Sequence, residues 1–196
     1  MVNYGVGNLY SIKCALEKVG FRASVGLSQS QLEQAEAIIL PGVGDFSTAS
    51  KNLESLKEKM LELARSGLPV FGICLGMQLL FQKSEEGEGE GLALLEGKNV
   101  RLPSYVKVPH MGWNTIRIIA QNRLVEGLQG ETYYYFAHSY YPDPANKDVV
   151  CGETIYGVTF ASLIAKNNIC GTQFHPEKSG KQGLKFLENF LDFVKR

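Results

Sequence analysis

The sequence predicts an α/β protein, a single-domain three-layer sandwich with a mainly parallel central sheet. Strand-like and helical segments alternate through the first half of the chain, which is typical of parallel strands covered by helices on both faces. A buried strand then passes into a helix at Cys74 with almost no loop between them. The length of 196 residues suits one domain, so we expect residues 1–196 to form a single domain.

Amphipathic segments and short β-prone runs define the expected elements. Apolar residues at helical spacing follow Asn8, which can cap a helix, and the same spacing recurs at residues 49–65 and 181–195. Short β-prone runs at residues 21–25 and 37–40 predict strands on the two sides of a polar stretch at residues 28–36. Most of residues 98–174 follows a pattern of short β segments, which include residues 115–119, 133–137, 149–154, 158–163 and 169–174, and we expect some of them to pair antiparallel.

The composition argues against several classes of partner. Lysine plus arginine and aspartate plus glutamate both total 20, so the chain has no net charge with which to hold a nucleic acid. No apolar run approaches the roughly 20 residues that span a bilayer, so we expect no membrane partner. The cysteines lack CxxC spacing and no secretory leader precedes them, which predicts reduced thiols and a cytoplasmic location.

The segment Gly72-Ile73-Cys74-Leu75-Gly76 has the pattern of a nucleophile elbow, a tight turn between a strand and a helix. Flanking glycines relieve the steric conflict of such a turn, and a helix N-terminus favours the thiolate of Cys74. Free backbone N–H groups beside it can stabilise an oxyanion. A buried cysteine in a glycine-containing turn explains the same pattern, so a base is needed to decide between the two.

A base for Cys74 is available in His175, which follows the apolar run at residues 169–174 and precedes Pro176 and Glu177. Parallel strands end at one edge of a sheet, so an imidazole after one strand can reach a thiol after its neighbour. Glu177 can hold the second ring nitrogen in the required tautomer. A strand-end histidine is often structural when taken alone, but the elbow and the His-Pro-Glu motif together favour a Cys-His-Glu triad.

These motifs, with Gln78 one turn after the cysteine, resemble the class I, triad-type glutamine amidotransferases over the whole chain. The resemblance implies their flavodoxin-like class I amidotransferase fold. It assigns Cys74 as the nucleophile, His175 as the proton shuttle and Glu177 as the group that orients the histidine. It also implies that ammonia is released from glutamine without a metal or an organic cofactor.

Further residues take roles by the same resemblance. The segment Pro41-Gly42-Val43-Gly44 is similar to the glycine-rich oxyanion strand of the family. Glycine suits a position where a peptide N–H must turn toward a tetrahedral intermediate. The oxyanion hole that the resemblance implies consists of Gly42, Val43, Gly44 and Leu75. The substrate-binding residues that it implies are Gln78, Ser139 and Tyr140.

Within this family, several segments resemble the imidazole glycerol phosphate synthase branch. They are Val108-Pro109-His110-Met111-Gly112-Trp113-Asn114, Tyr4-Gly5-Val6-Gly7-Asn8-Leu9, residues 133–140 and His175-Pro176-Glu177-Lys178-Ser179. The resemblance implies a heterodimer with a (β/α)8-barrel cyclase subunit, through which ammonia reaches a ribonucleotide in histidine biosynthesis. It also implies that Asn8, Trp113 and Lys178 face that partner.

Other interpretations of the sequence stay open. An amidotransferase of pyridoxal phosphate or anthranilate synthesis would share the triad, although residues 108–114 argue against it. A non-catalytic binding module would usually lose a triad residue, and a cysteine peptidase would not combine the PGVG motif, Gln78 and His-Pro-Glu. His110 and His138 lack a suitably spaced carboxylate, so we expect hydrogen-bonded structural roles for them. The acidic, glycine-rich residues 84–91 are expected to form a connector without chemistry.

Overall fold

The computed structural model describes residues 1–5, 8–26, 28–128 and 132–195, so Val6 and Gly7 of one predicted motif lie outside the described residues. The α-helices are α1 Leu9–Lys18, α2 Gln29–Glu33, α3 Phe46–Arg65, α4 Leu75–Gln78 and α5 Gly180–Val194. The strands are β1 Ile38–Leu40, β2 Val70–Ile73, β3 Lys83–Ser84, β4 Gly97–Arg101, β5 His110–Thr115, β6 Arg117–Ile118, β7 Tyr133–His138, β8 Tyr140–Pro144, β9 Val150–Tyr156, β10 Val158–Lys166 and β11 Ile169–Thr172.

The central sheet has six strands in the order β1-β2-β11-β10-β9-β6, which confirms the α/β fold class. Strand β2 pairs parallel with both β1 and β11. The other three pairings are antiparallel, so the sheet is mixed where the sequence predicted a mainly parallel one. Connection length explains the difference. Gly157 alone joins β9 to β10, and Asn167 with Asn168 joins β10 to β11, whereas a parallel crossover needs about a dozen residues.

Two smaller sheets are built from the second half of the chain. Strands β3, β4 and β8 form one, and β5 pairs antiparallel with β7 in the other. The chain passes from β7 to β8 at Ser139, where it leaves one sheet and joins the next. The segments of β4 and β8, GKNVR and YYPDP, lack the apolar alternation that marks a strand, which is why the sequence did not predict them.

Helices cover both faces of the central sheet, as a three-layer arrangement requires. Alternate residues of β1 point to opposite faces, so Ile38 joins the core that contains Leu53 of α3. Ile39 joins the other core, where Leu16 of α1 and Phe190 of α5 are fully buried. None of the helices in the described ranges is long and apolar enough to cross a membrane.

Helix α3 and the β-prone run at residues 21–25 differ from the prediction. Helix α3 begins at Phe46, ahead of the predicted residue 49, because Asp45 Oδ1 caps it by accepting the Thr48 N–H at 2.8 Å. The β-prone run at residues 21–25, which the sequence predicts as a strand, joins no ladder among the described residues. Val2 and Gly26 form an isolated parallel bridge beside it. Local β-propensity makes a strand when a neighbour of comparable length can pair with it.

The β2–α4 corner depends on close backbone packing against the loop that follows β1. A Cβ atom on Gly76 would lie 1.9 Å from the Leu40 carbonyl oxygen, and one on Gly42 would lie 2.5 Å from Leu75 Cβ. Gly72 is similarly crowded, since its Cβ would approach the Gly76 carbonyl oxygen to 2.4 Å. Lack of space therefore requires glycine at these positions, which do not have positive φ angles.

We expect Gly76→Ala to lower the free energy of unfolding by about 3 kcal/mol, because the added methyl group must displace the Leu40 backbone. Urea denaturation followed by circular dichroism measures this change. Gly67→Ala is the control, because its Cβ would meet no atom within 4 Å and only the φ of +97° opposes a side chain. We expect a loss of about 1 kcal/mol for the control. Equal losses would contradict the packing argument.

Candidate active site

Cys74 lies at the corner between β2 and α4 in a strained backbone conformation. Its φ of 52° and ψ of −106° are outside the regions that L-residues ordinarily populate. The Cys74 N–H donates to the Thr172 carbonyl oxygen at 2.7 Å, which ties the corner to the end of β11. Because α4 is a single turn, neighbouring N–H groups matter more to the sulfur than a helix dipole does.

His175 and Glu177 form a buried pair beside this corner. His175 Nδ1 and Glu177 Oε1 are 2.9 Å apart, and both side chains are 1% exposed. The backbone of His175 is also held, since its N–H donates to the Tyr135 carbonyl oxygen at 2.8 Å and its carbonyl accepts the Ser179 hydroxyl at 2.6 Å. These contacts fix both the position of the ring and its rotation.

The parallel register of β2 and β11, with Ile73 opposite Thr172, brings Cys74 and His175 to the same edge of the sheet. Burial lowers the pKa of His175, but the charge and contact of the Cys74 sulfur, and then those of Glu177, outweigh burial. The pKa of His175 is therefore raised well above its ordinary value. The sulfur contacts His175, but His175 Nε2 makes no hydrogen bond of ordinary geometry within the described residues.

The Cys74 sulfur has two other polar neighbours. Gln173 Nε2 donates to it at 3.5 Å, and the Ala137 carbonyl oxygen, at 3.6 Å, accepts the proton of the thiol. The candidate nucleophile is therefore close to His175, to an amide donor and to a carbonyl acceptor.

A cavity of about 210 Å³ opens beside Cys74. The predicted site residues that line it are Val43, Gly44, Cys74, Leu75, Gln78, Ser139 and Tyr140. Gly42 packs against Leu75 next to the cavity. His175 and Glu177 do not line the part of the cavity that the described residues form. The volume is below the range for drug-sized ligands, so the cavity suits a molecule as small as an amino acid.

The lining also contains residues that the sequence did not predict, namely Glu86, Pro109, Met111 and Ala137. Glu86 comes from the segment that was expected to have no chemistry. Its Oε2 accepts the Phe46 N–H at 2.8 Å, and burial, the largest effect, raises the pKa of its carboxyl group. The packing of this loop on the start of α3 brings the carboxylate to the cavity, and no local sequence pattern signals that contact.

The three predicted partner residues do not line this cavity. Trp113, which is 56% exposed, packs edge-on against Tyr135 with ring centroids 5.9 Å apart. Lys178 Nζ lies 5.4 Å from the centroid of the same tyrosine ring. We call Trp113, Tyr135 and Lys178 the Tyr135 cluster. Asn8 has a local contact instead, because its Oδ1 caps α1 by accepting the Ser11 N–H at 3.3 Å.

His110 and His138 form a buried hydrogen-bonded pair. His110 Nδ1 and His138 Nε2 are 3.0 Å apart, and His138 Nδ1 is 2.9 Å from the Tyr140 carbonyl oxygen. A carbonyl can only accept, so His138 donates from Nδ1 and accepts from His110 at Nε2. Burial lowers the pKa of His110 to about 4, and burial with the nearby His110 lowers that of His138 to about 3. Both rings are therefore neutral at pH 7 and hold the chain at Tyr140.

Comparisons with known proteins identify the family of the chain. A family model for the class-I glutamine amidotransferases matches residues 1–193. The imidazole glycerol phosphate synthase subunit HisH of Desulfitobacterium hafniense (strain Y51) is 48% identical over 197 residues, which cover 99% of this chain and 93% of that protein. The subunit HisH of Methanothermobacter thermautotrophicus is 47% identical over 196 residues, which cover 100% of this chain and 98% of that protein.

Solved structures share the fold. A crystal structure of a glutamine amidotransferase has a TM-score of 0.79 at 21% identity, over 100% of this chain and 98% of that one. The structure of PurLQS from Thermotoga maritima has a TM-score of 0.80 at 20% identity, over 98% of this chain and 96% of that one. The chain belongs to the class I glutamine amidotransferases and, within them, to the family of the imidazole glycerol phosphate synthase subunit HisH.

Proposed function

We propose that this chain hydrolyses glutamine to glutamate and ammonia with Cys74, His175 and Glu177. We further propose that it passes the ammonia to a cyclase subunit, which makes imidazole glycerol phosphate in histidine biosynthesis. The observation that carries the proposal is the buried His175–Glu177 pair, 2.9 Å apart, beside a strained cysteine that opens on a small cavity. The HisH relatives support the acceptor reaction.

The reaction begins when Cys74 attacks the side-chain amide carbon of glutamine. His175 takes the thiol proton at Nε2, a C–S bond forms, and the amide oxygen becomes an oxyanion. Glu177 accepts a hydrogen bond from the Nδ1–H group of His175. Nε2 is therefore the nitrogen that is free to act as a base. Because the pair is buried, the carboxylate stabilises the new imidazolium more than it would in water.

The intermediate then collapses and the C–N bond breaks. His175 returns its proton to the leaving nitrogen, so ammonia departs and a γ-glutamyl thioester remains on Cys74. A water molecule gives a proton to His175 while its oxygen attacks the thioester carbon. The C–S bond breaks, the sulfur recovers the proton, and glutamate leaves the restored enzyme.

The oxyanion needs N–H donors close to Cys74. We assign them to the loop at residues 42–44 and to the Leu75 N–H. The loop lies directly on the first turn of α4, since a Cβ on Gly42 would be 2.6 Å from the Gly76 nitrogen. Val43 and Gly44 both line the cavity, so a peptide N–H of this loop can reach the same oxygen as Leu75.

The amino-acid end of glutamine bears an ammonium and a carboxylate group. One oxygen of Glu86 accepts the Phe46 N–H, which leaves the other oxygen for the substrate ammonium. Ser139 and Tyr140 line the same cavity, and we assign their backbone to the rest of this end. Gln78 is also in the lining, but its amide hydrogens are donated to Tyr140 and Gln173. Gln78 therefore shapes the cavity wall and offers the substrate its amide oxygen.

The ammonia acceptor is proposed to be a (β/α)8-barrel cyclase subunit in a heterodimer. The Tyr135 cluster is continuous along β5 and β7 with Met111 and Tyr133, which are 66% and 61% exposed. Aromatic residues and methionine are enriched at protein interfaces. Met111 also lines the cavity, so a partner on this face would cover the opening beside Cys74. Asn8 is assigned to the same interface by its resemblance alone.

We propose a low activity for the isolated chain, because His175 Nε2 makes no hydrogen bond of ordinary geometry within the described residues. We propose that the partner brings Cys74 and His175 together when the acceptor is bound. A cytoplasmic location is proposed as well, since the chain has four free cysteines and reduced thiols are typical of that compartment.

Ammonia release from glutamine should require the cognate cyclase with its ribonucleotide substrate and be much slower with the chain alone. A coupled glutamate dehydrogenase assay measures the release. Cys74→Ala should abolish it because the nucleophile is lost, whereas Cys151→Ala, which removes another buried thiol, should retain it. Release that is indifferent to the cyclase would indicate a different acceptor. No release under any condition would favour a non-catalytic module.

Glu177→Gln should reduce kcat by roughly a thousandfold, because an amide can donate to Nδ1 and favour the wrong tautomer of His175. Steady-state kinetics with the cyclase present measures this loss. Glu188→Gln, a change of the same kind on α5, is the control and should leave kcat unchanged. A variant with the wild-type kcat would exclude Glu177 from the triad.

The same Glu177→Gln variant should lower the pKa of His175, since the hydrogen bond and charge of Glu177 help to raise it. A raised histidine pKa adds stability that is fully present below the unfolded value of about 6.5 and is lost as the pH rises through the folded value. The variant should lose that stability at lower pH than the wild type. Imidazole ¹⁵N signals report this titration, and the chain has three histidines to assign. An unchanged midpoint would contradict the expected effect of Glu177.

Glu86→Gln should raise the KM for glutamine by roughly tenfold with a smaller change in kcat, because a charge-assisted hydrogen bond to the ammonium is lost. Steady-state kinetics at saturating cyclase measures both constants. Glu85→Gln is the matched control, because its carboxylate binds Lys98 and the Arg101 N–H outside the cavity. If both variants changed KM equally, the assignment of Glu86 to the substrate would be wrong.

A further inference from the structure

Gln173 is a buried amide that contacts the candidate nucleophile and has no role in the mechanism described above. It lies between β11 and His175, and its side chain is fully buried. Its Nε2 is 3.5 Å from Cys74 Sγ. Hydrogen bonds to charged groups are stronger than those to neutral groups, so this N–H favours the thiolate over the thiol.

The orientation of the Gln173 amide follows from its neighbours. The Tyr140 carbonyl can only accept, so Gln78 must present its NH₂ group there, at 2.7 Å. The same Gln78 nitrogen lies 3.2 Å from Gln173 Oε1, which therefore accepts its second hydrogen. The NH₂ group of Gln173 is then the end that points to the sulfur. A flipped amide would place its oxygen against the sulfur and its hydrogens against those of Gln78.

The Tyr140 carbonyl, from which the orientation of both glutamine amides follows, is itself held in place. The Tyr140 carbonyl also accepts the Nδ1 proton of His138 at 2.9 Å, and His138 accepts from His110 at 3.0 Å. Burial keeps both rings neutral at pH 7, so these hydrogen bonds do not change in the neutral range. The carbonyl is held in place by two donors, and the two glutamine amides are ordered from it.

We propose that Gln173 is a catalytic residue that donates an N–H to the Cys74 thiolate, and that Gln78 is a positioning residue that holds the Gln173 amide in this orientation. The proposal rests on the proposed function, in which Cys74 is the nucleophile. When the thiol proton moves to His175, the Ala137 carbonyl at 3.6 Å can no longer accept it and faces a negative sulfur. Gln173 then supplies the compensating donor.

The test is the pH dependence of Cys74 alkylation by iodoacetamide, followed by mass spectrometry of the Cys74 peptide. Every protein carries Cys14→Ser, because Cys14 is the exposed cysteine. Gln173→Met removes the donor at similar volume, and Gln173→Glu keeps the shape but replaces the donor by an acceptor. Ser162→Ala is the matched control. The Ser162 hydroxyl is buried beside Gln173 and has no hydrogen-bond partner within the described residues.

We expect the pH of half-maximal alkylation to rise by about one unit in Gln173→Met, which is about a tenfold loss of thiolate at a given pH. Gln173→Glu should raise it further, and Gln78→Met should raise it by a smaller amount, because the Gln173 amide is then free to flip. The Ser162→Ala profile should match the wild type. If the Gln173 variants also match the wild type, Gln173 is a packing residue and the proposal is wrong.

A second measurement keeps the proposal testable if the Gln173 variants do not fold. In the wild-type chain, the side-chain N–H signals of Gln173 should titrate with the Cys74 thiol and lose that titration in Cys74→Ala. A pH-independent signal would overturn the proposal. Neither measurement uses glutamine or the cyclase. A failed ammonia assay with a shifted alkylation profile would therefore refute the proposed function and leave the Gln173 contact standing. Cyclase-dependent ammonia release with an unshifted alkylation profile would support the proposed function and refute the role of Gln173.

Discussion

Close backbone packing at the β2–α4 corner is the constraint on which the rest of the site depends. Gly42, Gly72 and Gly76 bring three backbone segments nearer than any side chain would allow. The contact fixes the turn that holds Cys74 at φ 52°. Such a conformation costs of order 1–3 kcal/mol and persists only where its surroundings over-determine it. The tight glycine contacts and the hydrogen bond from Cys74 N–H to Thr172 provide that support.

A second requirement is that the polar groups around the sulfur are buried without being left unpaired. His175 and Glu177 pair with each other. Gln78 donates to both the Tyr140 carbonyl and the side-chain oxygen of Gln173. A buried polar group without a partner costs roughly 1–3 kcal/mol, so these networks permit few alternative arrangements. The exceptions are His175 Nε2, Glu177 Oε2 and the Thr172 hydroxyl, which lack partners among the described residues. The nitrogen of His175 is the atom that the proposed proton transfer uses.

The fold class and the strand-to-helix corner could be predicted from the sequence because they depend on local patterns. Helical spacing marked α1, α3 and α5, and the apolar run before Cys74 marked β2. The antiparallel half was harder to predict. Whether β9, β10 and β11 pair as hairpins depends on connections of one or two residues, and their exact ends are not visible in the apolar pattern. Strands β4 and β8 were not predicted, because they form by pairing with each other and their composition is not typical of strands.

By itself, the sequence determined which residues have the chemistry: a cysteine between glycines, a histidine after a strand and a glutamate beyond it. These signals are local, since each needs a few neighbouring residues to be recognised. The tertiary structure decided which distant groups meet them. Glu86 reaches the cavity and Gln173 reaches the sulfur because loops and strands far apart in the chain pack together. Such contacts depend on register and packing, which no short segment of sequence specifies.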